Sequence, residues 1–194
     1  MNDQPASRAH DGRRAGFQLV GAMVALMWVL EVVDALADHR LDRYGIEPRD
    51  GDGLIGVVAG PFLHVGFDHL ISNTVPFLFM GAAIALNGAL RVLAVTAIVG
   101  LVSGLGTWLI APAGTVHLGA SGLVFGFGTY LVFRALFDRS LASLGIGVLI
   151  GAIWGGALLG GLLPEEGISW QAHLFGAIGG LLAARVLARP RSAS

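Results

Sequence analysis

The chain has no cysteine and no lysine, and charged residues make up only 13% of its 194 positions. Without cysteine there is no disulfide, no thiolate nucleophile and no Cys-ligated metal or cluster. Soluble domains carry roughly a quarter charged residues, so so low a charge content argues against an ordinary soluble fold. The twelve arginines are nearly balanced by 13 acidic residues and form no basic block, which argues against nucleic acid as a partner. What fills the sequence instead is apolar. Hydrophobic residues reach 55%, mean hydropathy is +0.74, and there are 30 glycines. Glycine is more frequent in transmembrane helices than in soluble ones. The sequence reads as an all-α, polytopic membrane protein.

A spanning helix needs about 20 mostly apolar residues. Six stretches qualify: about 16–37, 69–89, 91–111, 117–134, 141–163 and 169–188. The first lies too far in, with Glu31 and Asp34 near its end, to read as a cleaved signal peptide. The run LIGVVAGPFL (54–63) is too short to span and reads as an interfacial segment in a long first loop of about 38–68. Residues 1–15 are expected as a disordered cytoplasmic stub, 16–189 as one six-helix membrane domain, and 190–194 as a tail. With both termini inside, the inner flanks carry Arg8, Arg13, Arg14, Arg91, Arg134, Arg139, Arg185, Arg189 and Arg191. The outer side keeps only Arg40, Arg43 and Arg49, which fits the positive-inside rule. The composition leans toward a bacterial plasma membrane.

This topology sends the second, fourth and sixth spans inward from the outer face, each with polar residues near its start. These are His64, His69 and Asn73, then Ser121, then His173. At 1.5 Å per residue they lie within about a third of the membrane depth. The charge-free stretch 118–133 covers only about 24 Å, short of the ~30 Å hydrocarbon core. The fourth span is therefore expected to start below the surface, after a loop that dips in against protein or a water-filled cavity. Gly122 and Gly126 form a small-xxx-small face on that span, and Ala172, Gly176 and Gly180 form another on the sixth. Such faces let backbones approach closely, which would bring Ser121 and His173 to facing positions.

A serine hydroxyl needs an adjacent base to become a nucleophile. His173 can take that proton and return it to a leaving amine. The oxyanion formed by attack on a peptide carbonyl needs preorganised donors. Asn73 and His69, four apart on one helix face, can supply them together with the Ser121 N–H. No Asp or Glu completes a triad within the membrane, so the expected arrangement is a dyad.

HVGFDHLISN (64–73), GASG (119–122) and AHLFGAIGG (172–180) resemble, in order and spacing, the signatures of rhomboid intramembrane serine proteases. The resemblance covers about residues 16–188. It implies a six-transmembrane-helix bundle in which Ser121 is the nucleophile and His173 the general base and acid. It further implies that Asn73 and His69 line the oxyanion hole, that His64 supports the first loop, and that Gly119 and Gly122 belong to the serine motif. Rhomboid proteases cut transmembrane segments of membrane proteins, usually near the outer face, without metal or cofactor. The loop holding Glu165 and Glu166 would lift to admit substrate or water. Two departures stand out. Phe125 occupies the position where many relatives have a Tyr that packs on the catalytic histidine, and the Trp-Arg pair often seen in the first loop is absent, which bears on how that loop is anchored.

Other readings are weaker. A catalytically inactive relative that binds transmembrane helices would typically have lost Ser121 or His173. A transporter would more often show repeated, interrupted helices in both halves. Zinc held by His64, His69 and His173 would lack an HExxH-type acid and leave the serine motif unexplained. His117 is expected to face the wet interface, and Glu31 and Asp34 to snorkel or bond to the first loop.

Overall fold

The structure is a computed structural model describing residues 4–138, 140–165 and 167–188, with side chains from residue 10 onward. Among these residues every regular element is helical, apart from one isolated antiparallel bridge between Ile46 and His117. Helix α1 (Gln4–Leu36) leads into a first loop containing a single turn, α2 (Gly56–Ala59), between 3-10 turns at Asp52–Ile55 and Gly60–Phe62. Then follow α3 (Phe67–Ala85), α4 (Ala89–Ile110), α5 (Ser121–Asp138), α6 (Leu141–Gly160) and α7 (Trp170–Val186).

Three helices are long and apolar enough to cross a membrane: α1 from His10, α4 and α6. The segment Asp52–Phe62 and α3 meet the test only together and are bent by 67° at the break. α5, whose last turns carry Arg134 and Asp138, and α7, which is 17 residues long, do not meet it. They form the most extensive helix pair in the fold, and on α5 nearly every residue from Gly122 to Leu131 is buried.

Two boundaries differ from the sequence reading. α5 starts at Ser121 rather than 117, because residues 117–120 are tied as loop to the first loop and Gly119 adopts φ +119°. The interfacial segment 54–63 is present as short helical turns. The stretch read as a stub is helical from Gln4, where Ala6, Ala9, Arg13, Arg14 and Ala15 are good helix formers. The tail 190–194, with Arg139, Glu166 and Arg189, lies outside the described residues.

Lipid tails are as apolar as leucine, so helices in a bilayer are held by packing rather than by the hydrophobic effect. The glycines show where that packing is tightest. A Cβ on Gly126 would sit 2.8 Å from the Gly176 carbonyl oxygen, and one on Gly176 or Gly180 would strike the backbone of Gly122 or Gly126. α5 and α7 thus cross backbone to backbone on the two small-residue faces. Ser103 of α4 closes the junction, its hydroxyl donating to the Ala172 carbonyl at 2.9 Å. Against α3, α1 lays a stripe of Val20, Val24 and Met27.

Gly176→Val is expected to destabilise the bundle by at least about 1–3 kcal/mol, the cost of overpacking a tight interface. Gly155→Ala, with nothing within 4 Å of the added Cβ, should stay within about 0.5 kcal/mol of wild type. Thermal unfolding in detergent compares the two. Equal midpoints would show that the α5–α7 crossing is not the tight contact.

Candidate active site

Ser121 is the first residue of α5, and what precedes it is held in place by the first loop. Ile46 and His117 exchange both backbone hydrogen bonds, at 2.7 and 2.9 Å. The Gly119 N–H donates to the Gly60 carbonyl at 2.9 Å, and the Ala120 N–H donates to His64 Nε2 at 3.2 Å. His64 is therefore a buried support for the residue just before the serine. Its ring meets His69 edge-on, with centroids 5.2 Å apart. Gly119 is required twice over: its φ is in the left-handed region, and a Cβ there would lie 2.5 Å from His69 Cε1. The Ala120 carbonyl accepts from Val124 as the helix starts, so the Ser121 N–H is a helix-terminal donor with no intrahelical acceptor.

His173 lies in the first turn of α7, opposite. Its Nδ1 is 2.7 Å from the Gly161 carbonyl oxygen. A carbonyl only accepts, so Nδ1 carries the proton and Nε2 presents its lone pair. The ring stacks flat on Phe125, with centroids 4.0 Å apart and planes 7° from parallel. A side chain on Gly161 would reach within 2.5 Å of the Phe125 ring and 3.2 Å of His173 Nδ1. Among the described residues no hydrogen bond joins Ser121 to His173 at rest; such bonds often tighten only when substrate binds.

The sequence-identified groups meet in one cleft of about 1340 Å³, lined by Ser121, His173, His69, Asn73 and Phe125. Its walls are apolar where α3 and α6 face each other, at Val75, Pro76, Trp154 and Leu158. Asn73 is buried and spends one Nδ2 hydrogen on the His69 carbonyl, at 2.9 Å. The other remains for an incoming oxygen. Glu165 also lines the cleft, on the loop between α6 and α7. Behind Ser121 lies a small cavity of about 20 Å³ bordered by Gly60, Ser103, His117 and Ser169. That is room for one water.

Three devices carry no signal that the sequence reading caught. His117 does not simply face water. One ring nitrogen is 2.8 Å from Ser169 Oγ and the other 2.8 Å from Thr115 Oγ1. Ser169 is the N-cap of α7, accepting from Ala172 N–H, so His117 clamps the lead-in of α5 to the start of α7. Arg49 anchors the first loop in place of the missing Trp-Arg pair: its guanidinium donates to the Leu109 and Ala111 carbonyls at the end of α4. Trp108 returns a bond to the Asp50 carbonyl at 2.7 Å. The third is the Gly161 carbonyl, a backbone group that no residue-type pattern reveals.

The rhomboid domain model matches residues 52–190. An uncharacterized protein of Mycobacterium tuberculosis is 43% identical over 175 residues, covering 86% of this chain and 73% of its own. One from Mycobacterium leprae is 41% identical over 176 residues, covering 86% and 69%. The rhomboid protease GluP of Bacillus subtilis is 29% identical over 133 residues, or 67% of this chain and 25% of its own. The chain belongs to the rhomboid family, and its helices form a polytopic membrane bundle.

Burial lowers the pKa of His117 from its ordinary 6.5. The folded state thus resists a proton that the unfolded chain accepts, so stability present above pH 6.5 is lost as pH falls below it. Wild type should lose more thermal stability between pH 7.5 and 5 than His117→Gln, and the variant should be about 0.5–1.5 kcal/mol weaker at pH 7.5 for its lost hydrogen bonds. Parallel pH profiles would remove His117 from this role.

Proposed function

We propose that this member of the rhomboid family is an intramembrane serine endopeptidase that cuts transmembrane segments of membrane proteins through a Ser121/His173 dyad. The observation that carries the reading is the His173 ring, fixed by Gly161 and Phe125 with Nε2 unprotonated, in the same cleft wall set as Ser121 and Asn73. Nε2 takes the Ser121 proton as Oγ attacks the scissile carbonyl. The oxyanion is met by the Ser121 N–H at the positive end of α5 and by Asn73 Nδ2, with His69 beside them. The imidazolium then protonates the leaving amine. A water, for which the small cavity behind Ser121 has room, hydrolyses the acyl-enzyme with His173 again as base.

The usual third member of a triad orients the histidine and stabilises its charge. Here a carbonyl and a stacked ring do the orienting, and among the described residues no carboxylate bonds to the imidazole. The phenol that many relatives present at the Phe125 position has no counterpart. Six membrane spans with both termini cytoplasmic, the arrangement that arginine placement favours, turn the cleft toward the outer side of a bacterial plasma membrane. Substrates are then single-pass proteins whose helices unwind easily near that face, because a peptide bond inside a helix is shielded from attack. No cofactor enters the reaction.

Purified protein in detergent should cleave a model transmembrane substrate and label with a fluorophosphonate. Ser121→Ala should do neither, and His173→Ala should lose cleavage. Asn73→Ala should lower kcat by about 10²–10³, the usual effect of losing one oxyanion donor. A folded wild type that neither cleaves nor labels, in detergent and in lipid, would favour a helix-binding protein without catalysis. Cleavage surviving in Ser121→Ala would overturn the dyad.

A further inference from the structure

The C-terminal end of α1 holds carboxylates that neither helix packing nor the proposed protease chemistry uses. The buried stripe of α1 runs Val20, Val24, Met27 and then Glu31 and Asp34, which are 1% and 2% exposed. Neither snorkels to solvent. A buried carboxylate is costly unless it is paired or coordinates a metal. Beyond Leu36 the chain turns back through Asp38 and His39, at φ 52° and 56°. This carries His39 Nδ1 to 3.1 Å from Asp34 Oδ2, while the Leu41 N–H donates to Asp34 Oδ1 at 2.6 Å.

Asp42 completes the group: one ligand atom from each of Asp34, His39 and Asp42 lies within 4.8 Å of the others. The independent observation is Glu31, one turn earlier on the same face. Both its carboxylate oxygens are buried without a hydrogen-bond partner, as is Asp42 Oδ1. The Gly66 N–H, at the N-cap of α3, is directed at the Glu31 carboxylate but falls outside hydrogen-bond geometry with either oxygen. Among the described residues no arginine pairs with these carboxylates, and the one basic side chain that reaches them is His39, which is 56% exposed.

We propose that Asp34, His39 and Asp42 bind a divalent first-row transition cation, with zinc the best fit: the two aspartates balance its charge, and Glu31 stands one turn behind them on α1. An imidazole among carboxylates suits zinc or manganese, whereas calcium and magnesium favour all-oxygen sets. Donors round a tetrahedral zinc stand about 3.3 Å apart, close to the present His39–Asp34 separation, and Asp42 brings a ligand atom within 4.8 Å of both. The Leu41 N–H already orients the Asp34 carboxylate and leaves Oδ2 for the ion, as an outer-shell partner does. To ligate the ion His39 uses the tautomer with its proton on Nε2, leaving the Nδ1 lone pair for the metal. The ion ties the first loop to α1, and that loop supplies Ile46, Gly60 and His64 to the segment before Ser121. The site lies apart from the cleft and does not depend on the chain being a protease.

Tag-free full-length protein in detergent, stripped with EDTA and reloaded with zinc chloride, tests this. Metal content by mass spectrometry should reach about one zinc per chain, with an EDTA-reversible rise in thermal midpoint and no comparable rise with calcium. His39→Ala, a change at an exposed side chain that leaves the helix core intact, and Asp42→Asn should each weaken zinc binding at least about tenfold. Ser121→Ala should bind zinc as wild type does, which separates this proposal from the protease reading. Wild type taking up no zinc, or both ligand variants taking up as much as wild type, would overturn it.

Discussion

The backbone crossing of α5 and α7 is the constraint on which the site depends. Gly122 and Gly126 face Gly176 and Gly180 so closely that a methyl group on any of them meets the opposing helix or its neighbours. Ser121 and His173 each stand at the head of one of these helices, so the crossing sets them at one depth. In lipid such contact is made by small residues and dispersion rather than by expulsion of water. That is why so greasy a chain spends its glycines here.

A second restraint makes the crossing usable. The first loop grips the residues before Ser121 through Ile46, Gly60 and His64, and is itself fastened to the end of α4 by Arg49 and Trp108. His117 then bridges the lead-in of α5 to the cap of α7. Three loops at one end of the bundle thus fix the two chemical groups from outside, while the glycines fix them from below. Among the described residues no carboxylate bonds to His173, and its tautomer rests on a backbone carbonyl and its plane on a phenyl ring. Both are neutral groups, which suits a site set among apolar helices.

Much of this was legible in the sequence because lipid imposes simple rules. Long apolar runs mark the helices, and the glycine spacing on 122/126 and 172/176/180 marks the crossing. The His-Asn, Gly-Ser and Ala-His motifs led to the residues that share the cleft. The start of α5 was misplaced because the apolar run continues through Leu118 while the helix does not; the break comes from the positive φ of Gly119, which composition hides. The loop's hold on that segment was invisible for another reason. It is made of backbone bonds and of partners such as His64 and Ala120 that stand 56 residues apart. Glu31 was read as snorkelling or bonding to the first loop, as carboxylates near a helix end do; its place on the buried stripe appears only once α3 is packed beside α1.

The measurement closest to the centre of this account is the structure of the protein after reaction with a fluorophosphonate. The account requires a covalent bond from phosphorus to Ser121 Oγ. The phosphoryl oxygen should lie within hydrogen-bond distance of the Ser121 N–H and Asn73 Nδ2, with His173 still bonded through Nδ1 to Gly161. An adduct on another residue, or one whose phosphoryl oxygen points away from Asn73 while His173 has turned from Gly161, would contradict it.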